Sequence, residues 1–420
     1  MAEVKEMEKL PEGWKRVRLG EIIEYEQPQK YLVKSEQYYE KTGIPVLTAG
    51  KSFILGYTDE QFGINNTIPT IIFDDFTTDS RYVNFPFKLK SSAIKILKTR
   101  DNNDLFFIYN VMQILNFNPG SEHKRYWISE YSKISIPFPP LPEQRKIAEI
   151  LETVDNAIEK TDRIIEKYKR IKQGLMQDLL TKGIDENGQI RSEETHRFKD
   201  SPLGRIPEEW EVLELEKVAE PNGIVRGPFG GMLKKEIFVP RGYKVYEQGN
   251  AIYKSVKLGN YYIDSKKYKQ MLRFAVKPKD FIISCSGTIG KIFMIPANFE
   301  EGIINQALLK ITIDDKRFNH KFFEYFFDWD RFQTKIIDYT QGGAMQNLIG
   351  INEFKKIGFP KPPLPEQHRI ASILSQIDET IEKEQRYKEK LERIKQGLME
   401  DLLTGKVRVN HLNEGVENVS

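Results

Sequence analysis

An internal duplication constrains this chain more than any other feature. The hexapeptide PPLPEQ occurs at residues 139–144 and again at residues 362–367. The segments that contain it, 137–181 and 360–404, align without a gap at an offset of 223 residues and are identical at 29 of 45 positions. A repeat of this kind indicates that one structural unit occurs twice, so it is interpreted before any finer feature.

A shorter match precedes each copy of the long repeat. PEGW at residues 11–14 corresponds to PEEW at residues 207–210, at an offset of 196. Since 223 − 196 = 27, the second intervening domain is predicted to be 27 residues longer than the first. A chain of 420 residues also exceeds one ordinary core. The predicted order is a first domain over 1–136, a repeated helix over 137–183, a linker over 184–206, a second domain over 207–359, a second repeated helix over 360–406 and a tail over 407–420.

Each long repeat has the pattern of a helix. Pro142 and Pro365 suit a first helical position, and apolar residues follow at spacings of mostly three and four. This is a coiled-coil-like seam whose nearest partner is the other copy, and we expect the two helices to pair antiparallel. Glycine inside a helix costs about 1 kcal/mol relative to alanine. We therefore expect the helices to approach closely at these glycines; if the midpoints of the two helices pair, Gly174 lies near Ile373 and Gly397 near Ile150.

The intervening domains are predicted to be β-rich with some helix. Short β-branched or aromatic runs bounded by Gly, Pro, Asn or Asp predict strands at 70–73, 93–97, 281–284, 291–295 and 308–313. Helices are expected at 105–115 and 318–332. The predicted class is α+β, with two β-rich domains separated by two long antiparallel helices in a pseudo-twofold duplication. Because the domains share little sequence, we expect them to bind different things.

Positive charge is concentrated in two blocks outside the repeated helices. Residues 226–291 contain 14 Lys or Arg and four acids, and residues 80–100 contain six basic residues and no acid. Concentrated positive charge on a folded domain favours a polyanionic partner. A solvated lysine-rich surface explains one such block equally well.

Composition excludes several other classes of protein. The single cysteine, Cys285, rules out an internal disulfide and a multi-cysteine zinc site. The longest apolar runs are far below the ~20 residues of a membrane span, and the charged N-terminus does not resemble a signal peptide. A cytoplasmic protein that does not bind a membrane is expected.

At this point the motifs resemble a known family, the specificity subunits of type I restriction–modification enzymes. The resemblance rests on PPLPEQRKIAEIL with RIKQGLMQDLLT in the first repeat, and on PPLPEQHRIASIL with RIKQGLMEDLLTGK in the second. PLGRIPEEW at 202–210 is similar to that family's usual entry into its second domain. The segments IPVLTAGKSFILGY, IIFDDFTTDSRY, RGPFGGMLKK and ISCSGTIGKI look like parts of target-recognition domains. The resemblance covers essentially the whole chain.

The resemblance implies a division of labour between the parts of such a protein. Each domain would read one half of an asymmetric bipartite site in duplex DNA, and the paired helices would set the gap. Methyltransferase subunits and ATP-driven nuclease subunits would dock on the chain. S-adenosylmethionine, ATP and Mg would bind to those partners, and none of them to this chain.

Motifs for chemistry are weak throughout the sequence. SGTIGK at 286–291 lacks the first glycine and the final Ser or Thr of a phosphate-binding loop, and a strand–turn–strand is the better interpretation. Asp74 and Asp75 have no companion acid and lysine at usable spacing for a nuclease, so a structural or base-reading turn is favoured. The five histidines form no ligand pattern, and Cys285 is expected to be a buried small hydrophobe. No catalytic and no metal-binding residue is predicted.

Candidate DNA contacts are polar or basic residues in predicted turns of the two domains, where side chains can meet phosphate and base edges. They are Lys51, Thr77, Thr78, Ser80 and Arg81 in the first domain and Arg226, Lys234, Lys235, Ser286, Thr288, Lys291, Gln346 and Asn347 in the second. Each is equally well explained as a solvated surface residue. Trp14 and Trp210 are expected in the cores.

Two alternatives remain. A coiled-coil scaffold with two protein- or glycan-binding heads explains the helices but not the basic block at 226–291. An enzyme that acts alone on DNA conflicts with the weak motifs. Duplex binding whose affinity falls steeply with salt distinguishes the DNA-specificity subunit from the scaffold.

Overall fold

The structure is a computed structural model and describes residues 10–50, 52–119, 124–338, 347–348 and 350–410. Its contacts divide the chain into two units. The first comprises Met1–Ile164 with Glu384–Ser420, and the second comprises Ile165–Lys383. Each unit therefore contains one β-rich domain and part of each long helix.

The first domain combines a four-stranded and a three-stranded sheet. Its elements are β1 (Lys15–Arg18), α1 (Leu19–Ile22), β2 (Ile23–Glu26), β3 (Ile44–Leu47), β4 (Ile54–Thr58), β5 (Thr70–Asp74), β6 (Ser80–Val83), β7 (Lys88–Leu89), β8 (Ile94–Thr99), α2 (Leu105–Ile114), α3 (Tyr126–Ser129) and β9 (Ser135–Phe138). The larger sheet has the order β2-β8-β5-β6 and is antiparallel. In the smaller sheet β3 pairs antiparallel with β4 and parallel with β7. β1 and β9 pair where the chain enters and leaves the domain.

Alternation along β5 explains why this domain has layers. Ile71 and Phe73 pack into a core shared with α2, whereas Ile72 packs into a second core beside the three-stranded sheet. Successive strand residues face opposite sides of a sheet, so one short strand supplies both cores. Full burial of such a side chain stabilises the fold by roughly 1.5–3 kcal/mol.

The second domain follows the first long helix. The elements from that helix onward are α4 (Leu141–Leu179), β10 (Phe198–Ser201), β11 (Gly204–Pro207), β12 (Glu211–Glu214), α5 (Leu215–Val218), β13 (Ala219–Arg226), β14 (Tyr243–Tyr246), α6 (Gln248–Ile252), β15 (Tyr262–Ile263), α7 (Ser265–Gln270), β16 (Phe281–Ser284), β17 (Ile292–Met294), β18 (Gly302–Ile304), β19 (Leu308–Ile313), α8 (His320–Asp328), α9 (Asp330–Ile336), β20 (Ile337–Asp338), β21 (Asn347–Leu348), α10 (Ile351–Lys356), β22 (Gly358–Lys361) and α11 (Leu364–Leu402). The residues expected to be a linker include the β10–β11 hairpin.

The two domains share one topology although their sequences differ. The larger sheet of the second domain has the order β13-β19-β16-β17 and is antiparallel, which matches β2-β8-β5-β6 of the first. In the smaller sheet β14 pairs antiparallel with β15 and parallel with β18, as β3 does with β4 and β7. The duplication therefore extends over the domains as well as the helices.

Most predicted elements are confirmed, with one correction. The structure has strands at β5, β8, β16, β17 and β19 and a helix at α2, as expected. The single helix predicted over 318–332 is wrong, because α8 ends at Asp328 and α9 begins at Asp330. Trp329 between them has an extended backbone with ψ of 128°, so the helical hydrogen bonds stop there.

Within each unit the two long helices run antiparallel. In the first unit, Asp155 pairs with Lys395 and Asp162 pairs with Lys388. In the second, Lys172 of α4 pairs with Asp378 of α11. Residues of increasing number on α4 thus pair with residues of decreasing number on α11. None of the helices in the described residues is long and apolar enough to cross a membrane.

The predicted glycine contacts are wrong. Gly174 and Gly397 are exposed, and a Cβ added at either would meet nothing within 4 Å. Leu175 and Met176, the next residues on α4, pack against the core instead. One residue turns a helix by about 100°, so the glycine faces solvent because its neighbours face inward.

The PPLPEQ motif forms the joint between each domain and the helices. Glu143 accepts a hydrogen bond from Trp14 Nε1 and a two-pronged ion pair from Arg408. Glu366 is held in the same way by Trp210 and Arg191. We call these two groups the glutamate clasps. Both tryptophans lie in the cores, as predicted.

The glutamine of the same motif fixes a helix of the neighbouring domain. Gln144 Oε1 accepts from the backbone N–H of Asp104, the residue that caps α2. Gln367 Oε1 accepts from the backbone N–H of Asn319, which caps α8. The cap side chains satisfy a free N–H group of the first helical turn, so each motif glutamine positions the start of a helix.

Candidate nucleic-acid interface

One edge of the larger sheet of the second domain collects most of the predicted contact residues. β13 and β16 end at this edge, and β17 and β19 begin there, since Arg226 pairs with Leu309 and Ser284 with Leu308. The N–H of Leu348 in β21 also donates to the carbonyl of Cys285. We call this set of strand ends, with the loop that follows β13 and the β16–β17 turn, the second-domain edge.

Hydrogen bonds within the β16–β17 turn fix its shape. The hydroxyl of Ser284 donates to the carbonyl of Thr288 at 2.6 Å and accepts from the N–H of Lys291 at 3.0 Å. Gly287 and Gly290 have φ of 64° and 77°, values that favour glycine. The turn leaves Thr288 and Lys291 exposed and Ser286 half-buried. The strand–turn–strand interpretation of SGTIGK is thereby confirmed.

Arg226 lies at the end of β13, and its side chain is half-buried. Its Nε is buried and has no hydrogen-bond partner among the described residues. Gly227 follows, and a Cβ there would lie 1.8 Å from the carbonyl oxygen of Asn305, so only glycine allows the loop to leave the strand this closely. The backbone thus holds Arg226 at the edge.

Cys285 lies fully buried below the same edge. Burial raises the pKa of its thiol to about 12, although the nearby Arg226 acts in the opposite direction. A thiol with so high a pKa is a poor nucleophile at neutral pH. The expectation of a buried small hydrophobe is confirmed.

The basic block over residues 226–291 keeps much of its charge. Of its 14 basic residues, Lys244, Lys254 and Lys279 form ion pairs with acids that the structure describes. Lys234 and Lys235 on the loop after β13 are exposed and form no such pair with the described residues. Lysines of this kind remain available to an anion.

The corresponding edge of the first domain is formed where β2 and β5 end and β6 and β8 begin. Its β5–β6 turn contains Asp74, whose Oδ1 accepts from the N–H groups of Phe76 and Thr77. Thr78 adopts φ of 64°, which is unusual for a β-branched residue, and donates its N–H to the carbonyl of Asp74. Thr77 is exposed and Thr78 half-buried.

Two other predicted contacts of the first domain lie behind this turn. Ser80 is 9% exposed, and its hydroxyl accepts from Nε2 of Gln113 at 2.9 Å. Arg81 is half-buried and donates to the carbonyl of Gly50 at 3.4 Å. Both side chains therefore already have partners within the domain.

The basic block of the first domain, over residues 80–100, is less positively charged than expected, because acids from other segments neutralise much of it. Four of its six basic residues pair with acids from elsewhere in the chain, namely Lys88 with Glu60, Lys90 with Glu36, Lys95 with Asp75 and Lys98 with Glu26. Lys88 and Lys95 are buried. The expectation of a free positive surface over 80–100 is corrected accordingly.

Asp75 has a structural role. Its carboxylate pairs with Lys95 and accepts from the N–H of Trp127 at 2.7 Å. The described residues contain no group of three or more His, Cys, Asp or Glu that could hold a metal ion. The turn interpretation of Asp74 and Asp75 agrees with these contacts.

Three predicted contact residues lie wholly or partly outside the described residues. Lys51 and Gln346 lie outside the described residues. Asn347 belongs to β21, where its backbone pairs with Asp338 of β20. These three stay predictions, as does DNA contact by each of the others.

The exposed aromatic residues of the second domain were not among the predicted contacts. Phe229 on the loop after β13 is 65% exposed, and Tyr253 at the end of α6 is 73% exposed. The glycines on both sides of Pro228 and Phe229, in RGPFGG, were the available clue, because such loops hold few buried side chains.

The sequence is similar to that of a known protein family over most of its length. The family model described as type I restriction modification DNA specificity domain matches residues 11–169 and 207–393. The MjaVIII type I restriction enzyme specificity subunit of Methanocaldococcus jannaschii is 29% identical over 427 residues, which covers 96% of this chain and 95% of that protein. The EcoR124I/EcoR124II specificity subunit of Escherichia coli is 50% identical over 156 residues, 34% of this chain and 38% of that protein.

The fold is also similar to a solved structure. The crystal structure of the type I restriction–modification S subunit from M. genitalium superposes with a TM-score of 0.59 at 14% identity. The match covers 94% of this chain and 98% of that one.

Proposed function

The chain belongs to the family of type I restriction–modification DNA specificity subunits, and from that premise we propose that it reads an asymmetric bipartite site in duplex DNA. One half of the site would contact the second-domain edge, and the other half would contact the corresponding edge of the first domain. Side chains at each edge would meet phosphates and base edges.

The observation that carries this proposal is the match of two edges that hold different residues. The β5–β6 turn and the β16–β17 turn occupy the same place in the same sheet order. The first presents Thr77, and the second presents Thr288 and Lys291. A common scaffold with different contact residues suits two different half-sites, so the target is asymmetric.

The long helices would set the gap between the half-sites. α4 and α11 each contribute to both units, and ion pairs fix their antiparallel register. Two readers on one face of a duplex work best about one helical turn apart, ~34 Å, or a multiple of it. A rigid helix pair defines such a spacing better than a flexible linker does.

Partner subunits would supply the chemistry. We infer that methyltransferase subunits using S-adenosylmethionine and nuclease subunits using ATP and Mg dock on this chain. Cys285 is buried and Asp75 makes structural contacts, which supports a chain that recognises the DNA sequence and leaves catalysis to its partners.

Salt-dependent binding tests the proposal. The full chain, alone and with its methyltransferase subunits, is titrated onto duplex DNA at several salt concentrations between 50 and 200 mM. We expect the affinity to fall steeply, by about tenfold for each decade of salt per phosphate contact. If no salt-dependent binding occurs even with the methyltransferase present, a scaffold with protein- or glycan-binding heads is the better account.

A further inference from the structure

Phe229 is an apolar side chain in an unusual place. Its ring is 65% exposed at the second-domain edge, three residues after Arg226 at the end of β13. Met232 on the following 3-10 turn, Gly230–Leu233, is 41% exposed. Burying such side chains stabilises a protein, so a partner that covers them would gain free energy.

The charge around Phe229 identifies the kind of partner. The guanidinium carbon of Arg226 lies 5.8 Å from the centre of the Phe229 ring. Lys234 and Lys235 follow on the same loop, and both are exposed. An aromatic ring with basic residues before and after it in the sequence of the loop suits a polyanion that also has flat apolar faces, and stacked bases between phosphates have this chemistry.

The first domain lacks this feature at the equivalent position. β2 is followed by the 3-10 turn Gln29–Tyr31, as β13 is followed by Gly230–Leu233. The residue that precedes the turn is Phe229 in the second domain and Pro28 in the first, and Pro28 is buried. The last residue of β2 is the acid Glu26, which pairs with Lys98, whereas the last residue of β13 is the base Arg226. An aromatic ring directly before the 3-10 turn is therefore present in the second domain and not in the first.

We propose that Phe229 inserts against a base step in the half-site read by the second domain, and that Met232 supports it. The inference rests on the proposed function. Apolar wedges of this type partly unstack a base step, and the cost depends on the sequence of that step. Phe229 would thus contribute specificity through deformability, in addition to the hydrogen bonds that the β16–β17 turn would make to the DNA.

Nearby backbone contacts make the geometry suitable for insertion. Gly227 is packed against Asn305, which fixes the base of the loop. Leu233, at the other end of the 3-10 turn, packs against a core that contains Val245 and Ile303. An anchored loop loses little conformational entropy when the ring enters the DNA.

The test uses duplexes that carry the site found by methylation mapping. In each duplex one adenine of either half-site, other than the methylated one, is replaced by 2-aminopurine, whose fluorescence rises on unstacking. The wild-type complex with its methyltransferase subunits is compared with F229A and L272A. Leu272 is a matched control, because it is 56% exposed in the same domain but lies on a different segment, the 3-10 turn Leu272–Phe274, and not on the loop that follows β13.

We expect a fluorescence rise in one half-site only, its loss in F229A and its retention in L272A. Affinity for the site should fall roughly 10- to 100-fold in F229A, the range for loss of one base–aromatic stack. The slope of affinity against salt should not change, because no charge is removed. Equal fluorescence and affinity in wild type and F229A would overturn the inference. Wild type without salt-dependent binding would instead overturn the proposed function.

Discussion

Nε1 of Trp14 donates a hydrogen bond of 2.9 Å to Oε2 of Glu143. The pair joins PEGW at the start of the first domain to PPLPEQ at its end, 129 residues later. Trp210 and Glu366 repeat it at 3.2 Å, which explains why both short motifs occur twice. The arginine of each clasp comes from beyond the end of the other long helix, so residues expected to be linker or tail complete the joint.

Loss of a clasp glutamate should destabilise its unit. Arg191 is 6% exposed and Glu366 2%, so E366A removes the buried partner of a buried guanidinium and leaves it paired with Glu209, which is 63% exposed. We expect a loss of about 3–5 kcal/mol in the free energy of unfolding, measured by urea denaturation followed by tryptophan fluorescence. The control is E211A, which breaks the exposed pair with Lys361 and should cost less than about 1 kcal/mol. Equal effects for the two variants would contradict the buried-clasp account.

The first clasp should make stability depend on pH. Burial raises the pKa of the Glu143 carboxyl, but hydrogen bonds from Arg408 and Trp14 outweigh it and hold that pKa below its ordinary value. A lowered folded-state pKa contributes stability that is present above the unfolded value of about 4.3 and is lost as the pH falls through the folded value.

The test of this linkage compares wild type with E143Q between neutral pH and pH 3. Wild type should be the more stable at neutral pH, and the difference should shrink as the pH falls below about 4.3. Hydrogen exchange of α11 near its C-terminal end reports on the unit that holds Glu143. A difference that stays constant with pH would show that the charge of Glu143 contributes nothing.

Alanine substitution should raise stability at the two exposed glycines inside the helices and lower it at Gly183, which follows α4. G174A and G397A add a methyl group where nothing lies within 4 Å, so each should stabilise the chain by about 1 kcal/mol. Gly183 has φ of 63°, and a Cβ there would lie 2.1 Å from Oε1 of Glu366, so G183A should destabilise it. Thermal unfolding of the three variants measures the signs. A loss of stability in G174A would indicate a contact that the structure does not contain.

Lys291 should contribute to DNA affinity through charge. It is exposed in the β16–β17 turn, so K291A should reduce the slope of log affinity against log salt by about 1. Lys279 is a matched control, since its side chain is 65% exposed but it lies near the opposite ends of β16 and β17. K279A should leave the slope unchanged. Equal slopes for K291A and wild type would place the phosphate contacts elsewhere.

Local patterns predicted the elements well. The apolar runs of β5 and β16 and the periodicity of α4 depend on neighbours in sequence, so they were visible without a structure. The shared topology was not visible, because it depends on pairings such as β2 with β8, whose residues lie at least 70 positions apart. The two domains therefore have the same sheet order although their sequences share little similarity.

The sequence also did not predict which charges are neutralised and which side chains are exposed. The block at 80–100 looked positive because Glu60, which neutralises the buried Lys88, lies outside it. Gly174 looked like a contact point because spacing alone does not say which side of the seam a residue occupies. For the contact residues, the sequence predicted the β16–β17 turn but not the exposure of Phe229, which depends on how the preceding strand ends.

The central claim is that two edges of common topology read two different half-sites. Mapping of methylated adenines in a genome that expresses this chain with its methyltransferase tests it most directly. The account predicts one asymmetric motif, with two specific halves separated by a nonspecific gap of fixed length, and a change confined to one half when the β16–β17 turn is exchanged. A single continuous motif, or a turn exchange that alters both halves together, would contradict it.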